Sequence, residues 1–418
     1  MRSETTMSGI LFKNARVFDG VNEDCPEGMQ VLVEGDRIRE VSATPIESSD
    51  VQVIDVAGRT LMPGLIDAHI HAYAADANIH KLDRSGVAFR TAHAVRMLRF
   101  ALESGFTTVR DVAGGDWSLW RAIEDRLLVA PRFLYVGKGL SMTGGHGDFR
   151  EPGESAHTEG YCSCGHSQSL TVIADGLDEC IKAAREQLRM GAHCIKIMGS
   201  GGVASPTDPI WMNQYRDDEI RAIVHEATER RSYVAAHCHP AYAARRCVEL
   251  GVRSIEHGTL MDDDTARFIA AKGAFVVPTM AVIFALAEAG RQLGLPAAGL
   301  EKIEYARGQA FAGMESMRKA GVQIGFGTDL LGESYVQQRR EFTLRKEVFT
   351  PVEILRQATS VNAALLQHEG KLGCVATDAH ADLLVVNGDP LKNLALLAEG
   401  RQLPIIMRAG ELIRNDLS

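Results

Sequence analysis

The sequence has little of what marks several large protein classes. No apolar run approaches the ~18–20 residues that a membrane-spanning helix needs. Basic residues do not exceed acidic ones. Lys and Arg number 45 against 54 Asp and Glu, a formal charge of −9. No dense Lys/Arg run is present either, so a nucleic-acid partner is not expected. The stretch Met1-Arg-Ser-Glu-Thr-Thr-Met-Ser-Gly9 lacks an apolar signal core, and the expected location is cytoplasmic. Cysteine is sparse, eight in 418 residues, which does not fit a disulfide framework in so long a chain. Cys194 and Cys238 fall in apolar, strand-like runs and are expected as buried thiols. Cys162-Ser-Cys164 with His166 hints at a metal site, but no second pair has zinc-finger spacing, which favours a plain loop.

What is present is ordinary globular composition, 45% apolar and 24% charged, enough for a large core and more than one domain. Short β-type runs at residues 10–17, 29–33, 37–41 and 51–55 are split by the turns Asp19-Gly20, Glu34-Gly35-Asp36 and Ala57-Gly58. They predict a small antiparallel unit. Residues 381–386, 403–407 and 411–413 are β runs again. Chain ends commonly lie close together. The expectation is a small β-sandwich domain built from residues 1–60 and 370–418.

Residues 61–369 read differently, with short apolar strands alternating with amphipathic helices. The strands fall at residues 64–69, 107–111, 133–137, 194–198, 233–237, 254–257, 274–278 and 323–328. Helical periodicity covers 91–104, 119–128, 172–190, 217–231, 241–250, 262–272 and 300–320. Several of these end on a basic residue and a Gly, as at Lys272-Gly273. Eight βα units predict an α/β fold, a (β/α)8 TIM barrel. The rival is an open doubly wound sheet, but no Gly-rich dinucleotide loop follows the first strand. Residues 351–367 have the apolar spacing of a packing helix and carry no expected chemistry.

A parallel barrel builds its chemistry at the C-terminal ends of its strands. His69 and His71 stand two apart there, so their imidazoles project to one side. The other strands bring Lys196, His237, His257 and Asp329. One buried histidine is usually a hydrogen-bonded core residue. Four of them with a lysine and an aspartate are not core composition. Lys196 lies between two isoleucines, where an unpaired ammonium is costly. It either pairs with Asp329 or Asp111, or it is a neutral amine that takes up CO₂. The resulting carbamate could bridge two metal ions ~3.5–4 Å apart. Arg110 and Asp111 are expected to form a structural salt bridge, with the orienting of a ligand residue as the alternative. His146, in a Gly-rich loop, is expected to contact the substrate. Trp211, Tyr215 and Arg216 are either rim residues or loop packing.

These residues resemble the metal-dependent amidohydrolase superfamily. The resemblance rests on Pro63-Gly-Leu-Ile-Asp-Ala-His-Ile-His71, Lys196, His237, His257 and Gly327-Thr-Asp329. The runs Ser141-Met-Thr-Gly-Gly-His-Gly-Asp148 and Ile195-Lys-Ile-Met-Gly-Ser-Gly-Gly-Val-Ala-Ser-Pro-Thr-Asp208 resemble a narrower branch. That branch holds prolidase-like, carboxypeptidase-like and ochratoxin-hydrolysing amidases. The resemblance implies two divalent ions, most often Zn²⁺. His69, His71, N6-carboxylated Lys196 and Asp329 would hold one; Lys196, His237 and His257 would hold the other. Asp329 would act as general base and then acid, and His146 would touch the substrate carbonyl or carboxylate. His239, where the family often has Tyr, and the loop Gly201-Gly202-Val203 would complete the substrate site, the glycines offering backbone donors. The implied substrate is a small peptide-like molecule, and the implied assembly is a homo-oligomer, octameric in relatives.

The expected reaction is amide hydrolysis that releases a C-terminal amino acid from a dipeptide, an N-acyl amino acid or an aryl amide. A cyclic amidase or imidazolone-type hydrolase is the alternative, and a deaminase a weaker one. A non-catalytic scaffold is disfavoured because every ligand position is filled.

Overall fold

The computed structural model describes residues 9–417 except 151–168, 204, 206, 294, 296 and 401. The chain opens with β1 (Gly9–Val17), β2 (Met29–Glu34), β3 (Arg37–Ser42), β4 (Val51–Asp55) and β5 (Thr60–Pro63). β1, β2 and β3 pair antiparallel in turn, whereas β4 and β5 both lie parallel to β1. The unit is therefore mixed rather than purely antiparallel. The turns read from the sequence contribute: Gly20, Gly35 and Gly58 all take positive φ, which costs glycine least.

The parallel strands follow: β6 (Leu65–Ile70), β7 (Phe106–Asp111), β8 (Arg132–Tyr135), β9 (Gly139–Ser141), β10 (Thr171–Ile173), β11 (Ile195–Met198), β12 (Val234–Pro240), β13 (Ser254–Leu260), β14 (Phe275–Val277) and β15 (Gln323–Ile324). They form a three-stranded sheet, β6-β7-β8, and a seven-stranded sheet, β10-β9-β11-β12-β13-β14-β15. Backbone hydrogen bonds bridge the two at both edges. Ala68 N–H donates to Phe326 O at 2.9 Å, and His193 N–H donates to Tyr135 O at 2.7 Å. Val172 and Ile173, expected as the start of a helix, lie instead in β10, which pairs with β9. The apolar run Val172-Ile173 fits either period, and the available strand edge decides.

The helices between these strands are α1 (Ile79–Arg84), α2 (Val87–Glu103), α3 (Trp117–Glu124), α4 (Gly176–Arg189), α5 (Asp217–Glu229), α6 (Ala241–Glu249), α7 (Asp263–Lys272), α8 (Met280–Ala289) and α9 (Ala297–Ala320). α7 shows local sequence setting both ends. The Asp262 side chain accepts from Thr265 N–H, and Gly273 closes the helix at φ 65, the left-handed cap that glycine adopts without a Cβ penalty. No helix among the described residues is long and apolar enough to cross a membrane.

The C-terminal strands β16 (Leu383–Val386), β17 (Ile405–Arg408) and β18 (Glu411–Asn415) return to the first sheet. β16 lies antiparallel to β5 and joins the two chain ends in one eight-stranded sheet. Phe12, Val31 and Ile54 from one end pack there with Leu383 and Ile405 from the other.

Residues 351–367 do more than pack. A π-turn over Gln357–Val361 leads into the helix Asn362–Leu365. The Asn362 amide donates to Ile66 O and Phe326 O, both at 2.8 Å, and accepts from Phe326 N–H. One buried side chain thus ties β6 to the chain leaving β15.

Candidate active site

Nine of the residues expected at strand ends or in the adjoining loops line one cavity of about 860 Å³, mouth included. They include His69 and His71 from β6, Lys196 from β11, His237 and His239 from β12, and His257 from β13, with Asp329, His146 and Val203 from loops. One face of the cavity is therefore imidazole, amine and carboxylate.

His69, His71 and Asp329 make the tightest group, with donor atoms all within 4.8 Å of one another. Asp329 Oδ1 lies 3.1 Å from His71 Nε2 and 3.3 Å from His69 Nε2. Two features set this approach. Gly327 packs where a Cβ would come within 2.7 Å of the His69 Cβ, so only glycine admits the contact. The Asp329 N–H then donates to His69 O at 2.8 Å. Asp329 and His257 both hold positive φ, 56 and 74. Non-glycine residues in that region cluster at functional sites.

Four of the imidazoles are oriented from behind. His69 Nδ1 is 2.7 Å from Glu256 Oε2, His257 Nδ1 is 2.7 Å from Thr279 Oγ1, His239 Nδ1 is 2.7 Å from Thr259 Oγ1, and His71 Nδ1 is 3.1 Å from Ala113 O. Supports of this kind fix the tautomer and aim the other nitrogen. The Nε2 atoms of His69, His237 and His239 are buried without a hydrogen-bond partner among the described residues. Buried orphan acceptors are rare, and several in one cavity fit a metal site. Burial holds His237 and His257 well below the usual imidazole pKa and brings His239 down to about 3. They are neutral at neutral pH, with lone pairs free for a cation.

Lys196 is 2% exposed, and burial lowers its pKa, opposed by the charges of Glu256 and Asp329. It makes no ion pair among the described residues, so the salt bridge to Asp329 or Asp111 is not formed. Burial works against the charge on Asp329 too, yet His69 and His71 keep its carboxyl far below the ordinary range.

Arg110 and Asp111 part company. The Arg110 guanidinium donates to Glu256 Oε1 at 2.7 Å, both side chains fully buried. Glu256 therefore links Arg110 to His69. Asp111 makes no salt bridge with Arg110; it accepts the N–H groups of Ala72, Ala113 and Gly115. Burial pushes its pKa up to about 6. Glu256 was not singled out in the sequence; its signal was an acid inside a strand that should be buried.

The loops bring His146 to the cavity and alter the part expected of the glycines. His146 stacks on His237 with ring centroids 4.1 Å apart. Its Nδ1 is 2.7 Å from Ser205 Oγ, whose hydroxyl donates to the buried Asp208. The backbone donors expected from Gly201 and Gly202 are spent inside their loop: Gly201 N–H goes to Met212 O, and Gly202 N–H to Asp208 Oδ2 at 2.9 Å. What Gly202 provides is room, because a Cβ there would sit 2.1 Å from the His146 ring. Lys302 from α9 braces the loop by donating to Gly202 O and Asp208 O. Tyr215 is buried packing, whereas Trp211 is exposed. Cys194 and Cys238 are free and buried. Cys162, Cys164 and His166 lie outside the described residues.

Comparison with known proteins identifies the family. The model of the amidohydrolase family matches residues 60–413. Ochratoxinase of Aspergillus niger is 31% identical over 374 residues, covering 85% of this chain and 75% of that protein. A solved amidohydrolase structure superposes with a TM-score of 0.96 at 45% identity, over 98% of this chain and all of that one. A prolidase complexed with N-methylphosphonate-L-proline superposes with a TM-score of 0.94 at 40% identity, over 97% and 100%. On the length matched, this chain belongs to the amidohydrolase family, hydrolases that act on amide bonds.

Proposed function

We propose that this protein is a binuclear-metal amidohydrolase that releases a C-terminal amino acid from a dipeptide, an N-acyl amino acid or an aryl amide. The observation that carries the reading is Lys196, a buried amine of lowered pKa that faces the same cavity as four oriented imidazoles. In its N6-carboxylated form it would join His69, His71 and Asp329 around one ion and His237 and His257 around the other. Nitrogen-rich ligand sets of this kind suit Zn²⁺. The two backbone bridges between the parallel sheets support closure into a (β/α)8 barrel, with the terminal strands as its flanking β-sandwich.

When bound, the ions supply Lewis acidity toward the scissile carbonyl and acidify water toward pKa ~7. The chain does the rest. Asp329 accepts the water proton and passes it to the leaving amine nitrogen, which departs neutral. His146 donates from Nε2 to the substrate's carbonyl or carboxylate oxygen. Its Nδ1 lies 2.7 Å from Ser205 Oγ, with the buried Asp208 behind the serine.

Metal analysis of the purified protein should give close to two divalent ions per chain. Chelation should abolish hydrolysis, and zinc should restore it. A clean single-metal protein would remove the bridging carbamate. Dipeptide, N-acyl amino acid and aryl-amide libraries on zinc-loaded enzyme test the reaction itself. Asp208→Asn should cut kcat/KM by about 10–100-fold, the usual loss when an orienting partner is removed. Because both residues act through one contact, adding Asp208→Asn to His146→Ala should cost little more; full additivity would separate them.

A further inference from the structure

The rest of the cavity lining is of another character from the proposed metal ligands. α8 contributes Val282, Ile283 and Leu286, and α9 contributes Ile303 and Ala306. Leu331 and Val203 extend the same apolar cluster. Among the described lining residues, Lys196 is the sole Lys or Arg and Asp329 the sole acid. Both belong to the proposed ligand set.

This wall is held in place. Ala281 N–H at the start of α8 donates to Glu341 Oε2 at 2.7 Å, and Glu341 is paired with the fully buried Arg345. Arg340 clasps Glu288 at the far end of α8. Phe284 packs against Phe311 of α9 with centroids 5.5 Å apart. A preformed apolar surface rewards an apolar ligand group and leaves a charge unsolvated and unpaired.

We infer that the α8–α9 pair is the specificity wall of this enzyme and takes a bulky aliphatic or aromatic group of the substrate, rejecting charged ones. The inference rests on the amide-hydrolysis reading and narrows its substrate class. The group can lie on either side of the scissile amide, so two matched series are needed.

The test uses zinc-loaded full-length enzyme. One series is N-acetyl-Gly, -Leu, -Phe, -Lys and -Glu. The other is acetyl-, hexanoyl-, benzoyl- and succinyl-glycine. In one of them the apolar members should exceed the small and charged members by at least ~10-fold in kcat/KM, since each methylene in such a pocket is worth about 10-fold or more. Leu286→Asp should lower that ratio by a similar factor. Ala306→Leu, which fills the wall without placing a charge in it, should lower it too and serves if the aspartate variant does not fold. Hydrolysis without an apolar preference, or with a preference for charge, overturns the wall but leaves the reaction class intact. A binding readout separates the two ideas. 3-Phenylpropionate, but not succinate, should raise the melting temperature of the metal-loaded protein, and Leu286→Asp should remove the difference. If no amide is cleaved while this discrimination persists, the reaction class fails and the wall stands. If the two acids act alike, the wall fails.

Discussion

Lys196→Ala should abolish hydrolysis and leave a protein that binds less than two metal ions. Removing a residue that merely orients a ligand costs about 10–100-fold; a group that bridges both ions should cost more than ~100-fold. Short carboxylic acids such as formate or acetate should recover part of the activity, because they replace the lost carboxylate in the space the side chain leaves. Lys196→Arg is the informative control. A guanidinium stays protonated, cannot take up CO₂, and fills the space a rescuing acid would need. It should be inactive and refractory to rescue. Lys196→Met should fold and be inactive, since it keeps the chain length without the amine. The measurements are kcat/KM, metal content and rescue by acid concentration. A fully active Lys196→Ala enzyme would end the role given to this residue.

The second large effect is on stability. Arg110 and Glu256 are both fully buried and 2.7 Å apart. Removing one partner leaves the other charge buried and unpaired, which costs about 3–5 kcal/mol. Arg110→Met and Glu256→Leu should each show this loss in denaturant unfolding. The double variant should recover much of it, because the desolvation penalty of both charges is then gone. Glu256→Leu should also weaken metal binding, since Glu256 holds His69 Nδ1, whereas Arg110→Met should do so less. The acid side has a defined sign. Burial opposes the Glu256 charge, but Arg110 and His69 keep its folded pKa well below the unfolded value. Its contribution is complete above about pH 4.3 and is lost as the pH falls further toward the folded pKa. Variants that unfold with unchanged midpoints would contradict the pairing.

The sequence carried the ligand positions because each sits at the end of a short apolar strand, where a polar residue stands out. Lys196 between Ile195 and Ile197 is the clearest case. Glu256 was hidden for the opposite reason. It directly precedes His257, and its partner Arg110 is 146 residues away, a pairing that no local pattern encodes. α8 was missed because Met280-Ala-Val-Ile-Phe-Ala-Leu-Ala-Glu-Ala289 is apolar nearly all round, so it has no polar face to reveal helical period. The last strand is shorter than its apolar run suggests. β15 ends at Ile324, after which Gly325 and Gly327 let the chain press against Asn362 and His69. The spent N–H groups of Gly201 and Gly202 likewise depend on Asp208 and Met212 folding back, which composition does not disclose.

The pairing of β5 with β16 has a consequence for biosynthesis. Thr60–Pro63 leaves the ribosome long before Leu383–Val386 is made. At about 5–20 residues per second, the β5 edge waits on the order of tens of seconds for its partner. During that interval its backbone donors and acceptors form an open strand edge, the kind of surface that recruits other chains. Completion of the first sheet thus waits until the segment that carries the parallel strands has been made. Nascent chains stalled before residue 383 should be the aggregation-prone species, whatever the state of the metal site.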